Sequence, residues 1–434
     1  MMDGGIKMAG QETKGFGEKI NDFIMNKIAA PLARFGEIPV VTAIKDGLVA
    51  SIPIIIIGSI FLLIGMLGLP GSFTEKAVIP AFSSLTPKFL MLYNLTMNFL
   101  ALYVVVAIAV SYAKLKKMDL LSSALLGLGA FLLMTIGEIT DGAITVQPFS
   151  AQGLFTAIIV ALLSVKIMEL CIKNNIVIKM PDGVPPAVGN AFSALIPYAI
   201  VFILTWLVRT VLGFDLVNFM AVVLTPLFAG VDNIFVFVGR VFAEMLLWTV
   251  GMHGTAMVDT IFAPLRLQWV AENAAALAEG VSRYELPYIW TTYTERMAIW
   301  PSAAWGLLFW MYFSKVKTVK VLAIAATPAA LFTIVEPIIF GVPIVMNPFF
   351  LIPFVLSAAV ASAVTYLSMQ IGLVARVFIE LPWATPPFIG GFLATGDWKA
   401  VILVMVNFAI GVAIYYPFFK AFEKDQLQKQ NLSL

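Results

Sequence analysis

Long apolar runs constrain the fold of this chain more than any other feature. Leu48–Leu67 and Val401–Phe419 contain no charged residue, and each has roughly the 20 residues that a helix needs to cross about 30 Å of hydrocarbon. Apolar residues make up 61% of the chain and charged residues 12%, whereas a soluble domain is about 25% charged. This composition cannot cover a water-exposed surface, so we predict an all-α polytopic membrane protein embedded in a lipid bilayer.

The composition also excludes several function classes. Cys171 is the single cysteine and His253 the single histidine, which rules out intramolecular disulfides and metal clusters built from several of these residues. We therefore predict no metal and no cofactor, and a packing role for Cys171. The net charge of +2 comes without a basic block, which argues against nucleic acid as a partner. No P-loop, HExxH or GxSxG motif is present, and no cleavable signal peptide is expected.

The apolar segments differ in regularity between the two halves of the chain. Those of the first half read clearly as spans: Gly47–Leu67, Phe89–Ala113, Leu120–Gly137, Gly153–Cys171 and Ala187–Leu212. Those of the second half are broken by Pro, Gly or charge: Phe235–Val250, Met297–Phe313, Val321–Val335, Pro348–Leu373 and Ala400–Phe419. Their lengths predict about ten transmembrane helices.

Basic residues predict the orientation. Lysines cluster at 114–117, after the second candidate span, and at 173–179, after the fourth, while the loops between these clusters are less basic. An excess of Lys and Arg marks the cytoplasmic side. We therefore expect a cytoplasmic N-terminus, and also a cytoplasmic C-terminus because lysines at 420–429 follow the last span.

Three interrupted stretches of the second half predict where the functional site lies. HGTAMVDTIFAPLRLQ, EPIIFGVPIVMNP and ELPWATPPFIGGFLATGDW are too apolar for water-exposed loops and too interrupted for spanning helices. Such backbone is tolerated at membrane depth where it is buried in protein or lines a wet cavity, and transporters build their sites from broken segments of this kind. We therefore expect broken or re-entrant segments here, in a site-bearing second half.

These observations divide the chain into four regions. Residues 1–40 form a cytoplasmic segment, residues 41–212 a scaffold, residues 213–420 a site-bearing half and residues 421–434 a cytoplasmic tail. In the first region, apolar residues at helical spacing predict an amphipathic helix on the membrane surface, with a frayed polar terminus as the alternative: Ile20, Phe23, Ile24 and Ile28.

Glu336 is the single charged residue of TIVEPIIFGVPIVMNPFF. A carboxylate at membrane depth costs roughly 3 kcal/mol or more, so it needs a partner or a use. One interpretation is a structural Glu that caps a re-entrant helix and accepts from backbone N–H groups. The other is a functional carboxylate that accepts from hydroxyls of a polar solute, or acts as a base or proton carrier.

His253 and Trp383 lie in two other broken stretches. His253 is flanked by Gly251 and Gly254, which let another group approach the backbone closely. It is either a buried neutral histidine bonded to a carbonyl, or a donor, acceptor or proton shuttle at a site. Trp383 is either an interfacial tryptophan or a stacking surface for the apolar face of a sugar ring.

Other charges of the second half are expected to pair with one another. Arg240 and Glu244 have the i,i+4 spacing that allows an ion pair on a helix. Glu295 and Arg296 could reach the site, but we favour structural pairing with neighbouring charges. Gly280, which ends the helix-like AENAAALAEG, suits a C-terminal cap.

The motifs together resemble a known family. GMHG around His253, followed by EPIIFGVPIVMNP from Glu336, looks like the membrane component (enzyme IIC) of a bacterial phosphoenolpyruvate-dependent phosphotransferase system. KDGLVASIPIIIIGSIFLLI, MPDGVPPAVGNAFSALIPY and FLATGDW…IYYPFF resemble its lactose/cellobiose/diacetylchitobiose branch. The resemblance extends from about residue 15 to about residue 420.

The resemblance implies a sugar transporter of the bacterial inner membrane that works as a homodimer, with the first five helices at the dimer interface. His253 and Glu336 map onto family residues that contact the sugar near the hydroxyl that receives phosphate, and Trp383 onto the tryptophan of the last re-entrant stretch. Asn233 and Asn347 complete the predicted substrate-binding set. Val335 replaces a polar residue that precedes the glutamate in many relatives, which removes one potential hydrogen bond to the sugar.

The resemblance also implies the energy source. A separate cytoplasmic IIB protein, charged through IIA and HPr, would carry the phosphoryl group on a cysteine, because about fifteen residues remain after Phe419. Whether the chain itself counts as an enzyme stays open, since the donor residue lies on a partner.

We therefore predict a permease for a β-linked disaccharide, of the diacetylchitobiose or cellobiose type, coupled to phosphorylation of its 6-hydroxyl. In this mechanism Glu336 accepts from sugar hydroxyls and takes the proton of the attacking 6-hydroxyl, with His253 as the second catalytic residue. The alternative is a proton-coupled secondary sugar transporter, in which Glu336 and His253 form a proton relay.

Overall fold

The computed structural model describes residues 34–35, 37–69, 76–137, 143–181, 183–342, 344–345 and 347–432. Within these ranges the chain is helical and contains no β-strand, which confirms the predicted all-α class. The predicted surface helix over residues 20–28 lies outside the described residues. Buried apolar side chains from both halves of the chain join one continuous core.

The described residues of the first half form six α-helices: α1 (Pro39–Leu67), α2 (Thr86–Met97), α3 (Leu100–Leu115), α4 (Leu120–Thr135), α5 (Leu154–Lys173) and α6 (Pro186–Trp206). The span predicted over Phe89–Ala113 lies within the apolar segment Thr86–Leu115, which is long enough to cross a membrane, and a break in the helix divides this segment into α2 and α3. The break lies at Asn98, whose backbone N–H ends α2 on the Asn94 carbonyl, because asparagine is a weak helix former that is common at helix ends.

In the second half, the part of the chain that the structure describes forms ten α-helices, several of them short: α7 (Leu216–Val231), α8 (Ile234–Thr249), α9 (Gly254–Ala278), α10 (Thr292–Trp300), α11 (Gly306–Tyr312), α12 (Lys317–Leu331), α13 (Glu336–Gly341), α14 (Pro348–Gln370), α15 (Pro387–Thr395) and α16 (Lys399–Leu432). A π-helical turn, Pro301–Trp305, joins α10 to α11. Gly411 of α16 permits close packing on this turn, because a Cβ there would lie 2.1 Å from the Ser302 carbonyl oxygen.

The first interrupted stretch is wrongly predicted. HGTAMVDTIFAPLRLQ belongs to α9, a continuous helix of 25 residues with Pro264 inside it. Its polar residues do not break the helix because they have partners on neighbouring elements. Asn273, for example, donates to the backbone carbonyls of Tyr288 and Val377. Gly280 adopts a positive φ of 94° just beyond the helix, which confirms the predicted C-terminal cap.

The other two interrupted stretches are hairpins. After α12 the chain reverses into the short α13, so that a Cβ on Gly341 would lie 2.8 Å from the Leu322 side chain. The segment before α15 also doubles back, because the Phe378 N–H donates to the Ala394 carbonyl at 3.0 Å. Both reversals occur in the stretches predicted to be re-entrant.

Six helical segments of the described residues are long and apolar enough to cross a membrane: Pro39–Leu67, Thr86–Leu115, Ala151–Lys173, Val188–Val211, Phe349–Gln370 and Lys399–Lys429. The apolar helix Leu120–Thr135 is shorter. Several other helices of the second half, such as α10, α11, α13 and α15, are too short for a full span. The structure is therefore that of a helical membrane protein, while the count of about ten spans stays a prediction.

Helices of each half pack mainly on one another. In the first half α1 packs on α2 and α3, and α5 packs on α3 and α4. In the second half α14 packs on α8 and α16. The long helix α9 makes the main contact between the halves, through α1 and the 3₁₀ turn Ala151–Gly153.

Candidate functional site

The turn between α8 and α9 holds His253 in a fixed orientation. His253 is the N-cap of α9, and its Nδ1 accepts from the Ala256 N–H at 3.2 Å. The imidazole also packs on the Trp248 indole, with ring centroids 4.4 Å apart. A ring nitrogen that accepts a hydrogen bond carries no proton. The neutral ring therefore carries its proton on Nε2, where it can be donated.

Glu336 is the first residue of α13, directly after the turn that follows α12, and lies opposite His253. Its Oε1 is 4.0 Å from His253 Nε2, and the two side chains are 45% and 57% exposed, respectively. Among the described residues, the Glu336 carboxylate accepts no hydrogen bond, so Glu336 is not a helix cap in this structure. His253 is not a buried histidine, because its side chain is more than half exposed. Both groups can hydrogen-bond to a solute.

Trp383 lies on the third turn, which precedes α15. Its backbone carbonyl accepts from Thr333 Oγ1 at 2.8 Å and from Arg296 Nη1 at 2.9 Å. Because Thr333 is three residues before Glu336, these bonds tie the Trp383 turn to the Glu336 turn. The Trp383 residue is 57% exposed, which leaves its indole available for stacking.

Three turns therefore meet at one place: residues 250–253, 332–336 and 382–386. The first turn also contacts the segment that follows α13, since a Cβ on Gly251 would be 3.4 Å from the Val345 side chain. Each turn joins helices or segments that are anchored in the core, so the polar groups are exposed while their backbones are fixed. Preorganised donors and acceptors of this kind suit the binding of a polar solute.

A buried charge cluster lies behind the His253 turn. Arg240 of α8 pairs with Glu244 and Asp259, with 2.7 Å between Arg240 Nη2 and Asp259 Oδ1. Arg266 of α9 pairs with Asp259, with 2.6 Å between Nη2 and Oδ1, and with Glu295 of α10. Five ionisable residues thus connect three helices, and the pairing predicted for Arg240 with Glu244 and for Glu295 with its neighbours is confirmed.

This cluster is coupled to the site through Thr255, two residues after His253. The Thr255 hydroxyl donates to the Glu244 carboxylate. Gly254 allows α8 and α9 to approach closely here, because a Cβ would lie 2.1 Å from the Glu244 backbone carbonyl oxygen. The Arg240–Glu244 pair was predicted from its spacing, whereas the roles of Asp259 and Arg266 were not predicted. The sequence signal for Asp259 and Arg266 was that they are two opposite charges in an otherwise apolar stretch.

The structure places Asn233 and Asn347 at helix starts. Asn233 Oδ1 accepts from the backbone N–H groups of Phe235 and Val236, and Asn347 Oδ1 accepts from Phe349 N–H at 3.0 Å. Both side chains are therefore engaged as N-caps of α8 and α14. A role for them in substrate binding stays a prediction.

The described residues contain no group of three His, Cys, Asp or Glu that could hold a metal ion. Cys171 is buried on α5 with a free thiol, in keeping with a packing role. The chemistry available at the meeting point of the turns is that of hydrogen bonding by a carboxylate and an imidazole, together with an exposed aromatic face.

A helical membrane protein that gathers a carboxylate, an imidazole and an indole at broken segments belongs to the class of polar-solute transporters. Residues 45–358 match the family model described as "Phosphotransferase system, EIIC". The chain therefore belongs to the EIIC family, the membrane sugar-transport components of phosphotransferase systems. The resemblance of the sequence motifs to enzyme IIC is thereby confirmed.

Relatives match nearly the whole chain. The lichenan permease IIC component of Bacillus subtilis (strain 168) is 35% identical over 95% of this chain and 96% of its own length. The cellobiose-specific EIIC component of Geobacillus stearothermophilus is 37% identical over 89% of this chain and 91% of its own. The crystal structure of the transporter ChbC, the IIC component from the N,N'-diacetylchitobiose-specific phosphotransferase system, matches with a TM-score of 0.85 at 31% identity, covering 94% of this chain and 99% of that one.

Proposed function

We propose that this permease transports a β-linked disaccharide of the cellobiose or diacetylchitobiose type and presents its 6-hydroxyl for phosphorylation. The proposal rests on two half-exposed polar groups that face each other: His253 Nε2 and Glu336 Oε1 are 4.0 Å apart. The names of the relatives support this sugar class, since lichenan, cellobiose and diacetylchitobiose all appear among them.

Each site residue has a distinct role in the proposal. Glu336 accepts hydrogen bonds from sugar hydroxyls and takes the proton of the attacking 6-hydroxyl. His253 donates from Nε2 to a sugar oxygen, and Trp383 stacks on the apolar face of a ring. Phosphoryl transfer requires mainly positioning and charge stabilisation, which anchored turns provide. The phosphoryl group would come from a cysteine on a separate IIB protein, supplied through IIA and HPr.

The helix packing supports a division into a scaffold, residues 41–212, and a transport unit, residues 213–420. We infer that the transport unit moves against the scaffold and carries the sugar from one side of the membrane to the other. In this arrangement about ten segments cross the bilayer, both termini are cytoplasmic, and two copies of the chain associate through the scaffold. Lysines at 114–117 and at 173–179 support that orientation.

The geometry at His253 favours phosphorylation coupling over a proton relay. A relay through His253 requires the ring to take up a second proton, which would have to be on Nδ1. That nitrogen already accepts from the Ala256 N–H at 3.2 Å, so protonation would break the cap of α9. Glu336 and a neutral His253 together suit sugar hydroxyls, which both accept and donate.

The test uses purified protein in liposomes, with labelled cellobiose and labelled diacetylchitobiose, with and without phosphorylated IIB. We expect phosphorylated sugar inside only when phospho-IIB is present. Glu336→Gln keeps the shape of the side chain but removes the charge, so phosphorylation should fall at least tenfold. Glu285→Gln, at an exposed position, is the matched control and should behave as the wild type.

Two outcomes would overturn the proposal. Unmodified sugar that accumulates along a pH gradient would show a secondary transporter instead. Unchanged transport and phosphorylation in Glu336→Gln would show that this carboxylate has another role.

A further inference from the structure

A cavity lies between the two halves of the chain. Its volume is about 600 Å³, within the range of about 300–1,000 Å³ that is usual for small-molecule sites. Residues of the first half, including Gln147, Gln152 and Phe155, form one wall. The facing wall is the C-terminal part of α9, with Gln268 and Glu272.

This cavity is separate from the site at the three turns. None of His253, Glu336 and Trp383 lines it. Gln268 lies about four turns along α9 from His253, which corresponds to about 22 Å at 1.5 Å per residue. The same helix therefore carries His253 at its N-terminus and a wall of the cavity towards its C-terminus.

The lining suits a neutral molecule rich in hydroxyl groups. Amides and carboxylates offer both donors and acceptors to hydroxyls: Asn98, Gln147, Gln152, Glu272 and Glu279. Phe155 adds aromatic surface, on which the apolar face of a sugar ring can pack. Polar groups lie on both walls, which disfavours a lipid chain as the occupant.

A bound metal ion fits the lining poorly. Glu272 and Glu279 are two helical turns apart, about 10 Å along α9, so their carboxylates cannot readily share one ion. Glu272 Oε1 already accepts from Gln268 Nε2 at 2.6 Å. An anion is disfavoured by the same carboxylates, since the described residues that line the cavity include no Lys or Arg.

We infer that this cavity is a second sugar-binding site, which takes the same class of β-linked disaccharide as the His253–Glu336 site. The inference rests on the proposed sugar class. Because one wall belongs to each half of the chain, a movement of the halves against each other changes the cavity. The cavity is thus a place where sugar binding is coupled to that movement.

The test is equilibrium binding of radiolabelled cellobiose to the purified full-length protein in detergent. The wild type should bind two sugars per chain, one tightly and one weakly. Ala275→Trp fills the cavity from α9, since Ala275 lines it, and should remove the weak component alone. The matched control, Ala278→Trp, places the same side chain at an exposed position of α9 outside the lining, and should keep both components.

Two further variants keep the test decisive. Glu279→Gln is a small change at an exposed position, so folding is not at risk, and it should weaken the second component about tenfold by loss of a charged hydrogen bond. Glu336→Gln should weaken the tight component and leave the second one.

The proposed function and this inference can fail separately. The second site would be refuted if the protein bound one sugar per chain, and if this binding were lost in Glu336→Gln but unchanged in Ala275→Trp and Glu279→Gln. The proposed role of the His253–Glu336 site would be supported by that result. A component that responds to Ala275→Trp and Glu279→Gln but not to Glu336→Gln would support the cavity and contradict the assignment of Glu336.

Discussion

Replacement of Arg266 by methionine should destabilise the transport unit strongly. The Arg266 side chain is 4% exposed and pairs with Asp259, at 2.6 Å, and with Glu295. Methionine approximates the length and volume of the aliphatic part but supplies no donor. The substitution leaves the half-buried Asp259 and the buried Glu295, which must share Arg240 with Glu244 as their remaining cation.

The expected magnitude follows from burial. Removing one partner of a buried ion pair costs about 3–5 kcal/mol, because the other charge is left uncompensated. Since Arg240 still compensates part of the charge, we expect about 3 kcal/mol, which is on the order of a hundredfold in the unfolding equilibrium. Arg209→Met is the matched control. Arg209 pairs with Asp215 at 3.1 Å, and the Asp215 side chain is 44% exposed, so the cost should be about 1 kcal/mol or less.

The measurement is unfolding of the purified protein in mixed micelles, followed by tryptophan fluorescence with increasing denaturing detergent. The free energies of unfolding of the two variants are compared with that of the wild type. Should Arg266→Met lose no more free energy than Arg209→Met, the buried cluster would not be a stabilising element of this fold. A second substitution, Glu295→Gln, should recover part of the loss, because it removes one uncompensated charge.

Three other substitutions have defined outcomes. Gly254→Ala places a Cβ 2.1 Å from the Glu244 carbonyl oxygen, so α8 and α9 must separate at the His253 turn. We expect a cost of about 1–3 kcal/mol in thermal unfolding and a loss of sugar phosphorylation, and wild-type activity would contradict the close packing. His253→Asn keeps a capping side chain but loses the Nε2 donor, so calorimetric sugar affinity should fall about tenfold at an unchanged Tm. Equal affinity would exclude His253 from the site. Hydrogen bonds from Ser122 hold the pKa of Asp119 in the folded state below its ordinary value. The ionised carboxylate therefore stabilises the folded state at a pH above the ordinary pKa, and this stabilisation is lost as the pH falls through the folded pKa. In Asp119→Asn the Tm should therefore depend less on pH than in the wild type between about pH 6 and pH 3, and identical profiles would refute the argument.

The spans of the first half were largely predictable because each helix faces lipid on one side. Leu120–Gly137 and Gly153–Cys171 were predicted within two residues of α4 and α5 at each end. A helix that crosses hydrocarbon requires apolar side chains over a fixed length, so its position can be predicted from the length of each apolar run. The break between α2 and α3 was missed because Asn98 and Phe99 interrupt the helix without interrupting its apolar character.

The second half shows where local reasoning fails. The first part of α9, HGTAMVDTIFAPLRLQ, looked broken because it mixes Asp259, Pro264 and Arg266 with apolar residues. In the structure these polar groups point into protein, where distant segments satisfy them. Sequence patterns distinguish helices that face lipid from segments that face water. They do not identify a helix whose polar side chains are buried against other parts of the same protein.

The sequence by itself determined the solvent and the class of fold, and it predicted the two ionisable residues of the candidate site. Apolar length shows that the chain crosses a membrane, and a charge without a local partner indicates a candidate site, because burial of such a charge is costly. Only the tertiary structure decided that His253, Glu336 and Trp383 lie on three turns that meet. It also decided which nitrogen of His253 can donate, and that Arg240 and Arg266 share their carboxylates. These relations join residues far apart in the chain, and they depend on the packing of helices rather than on any local pattern.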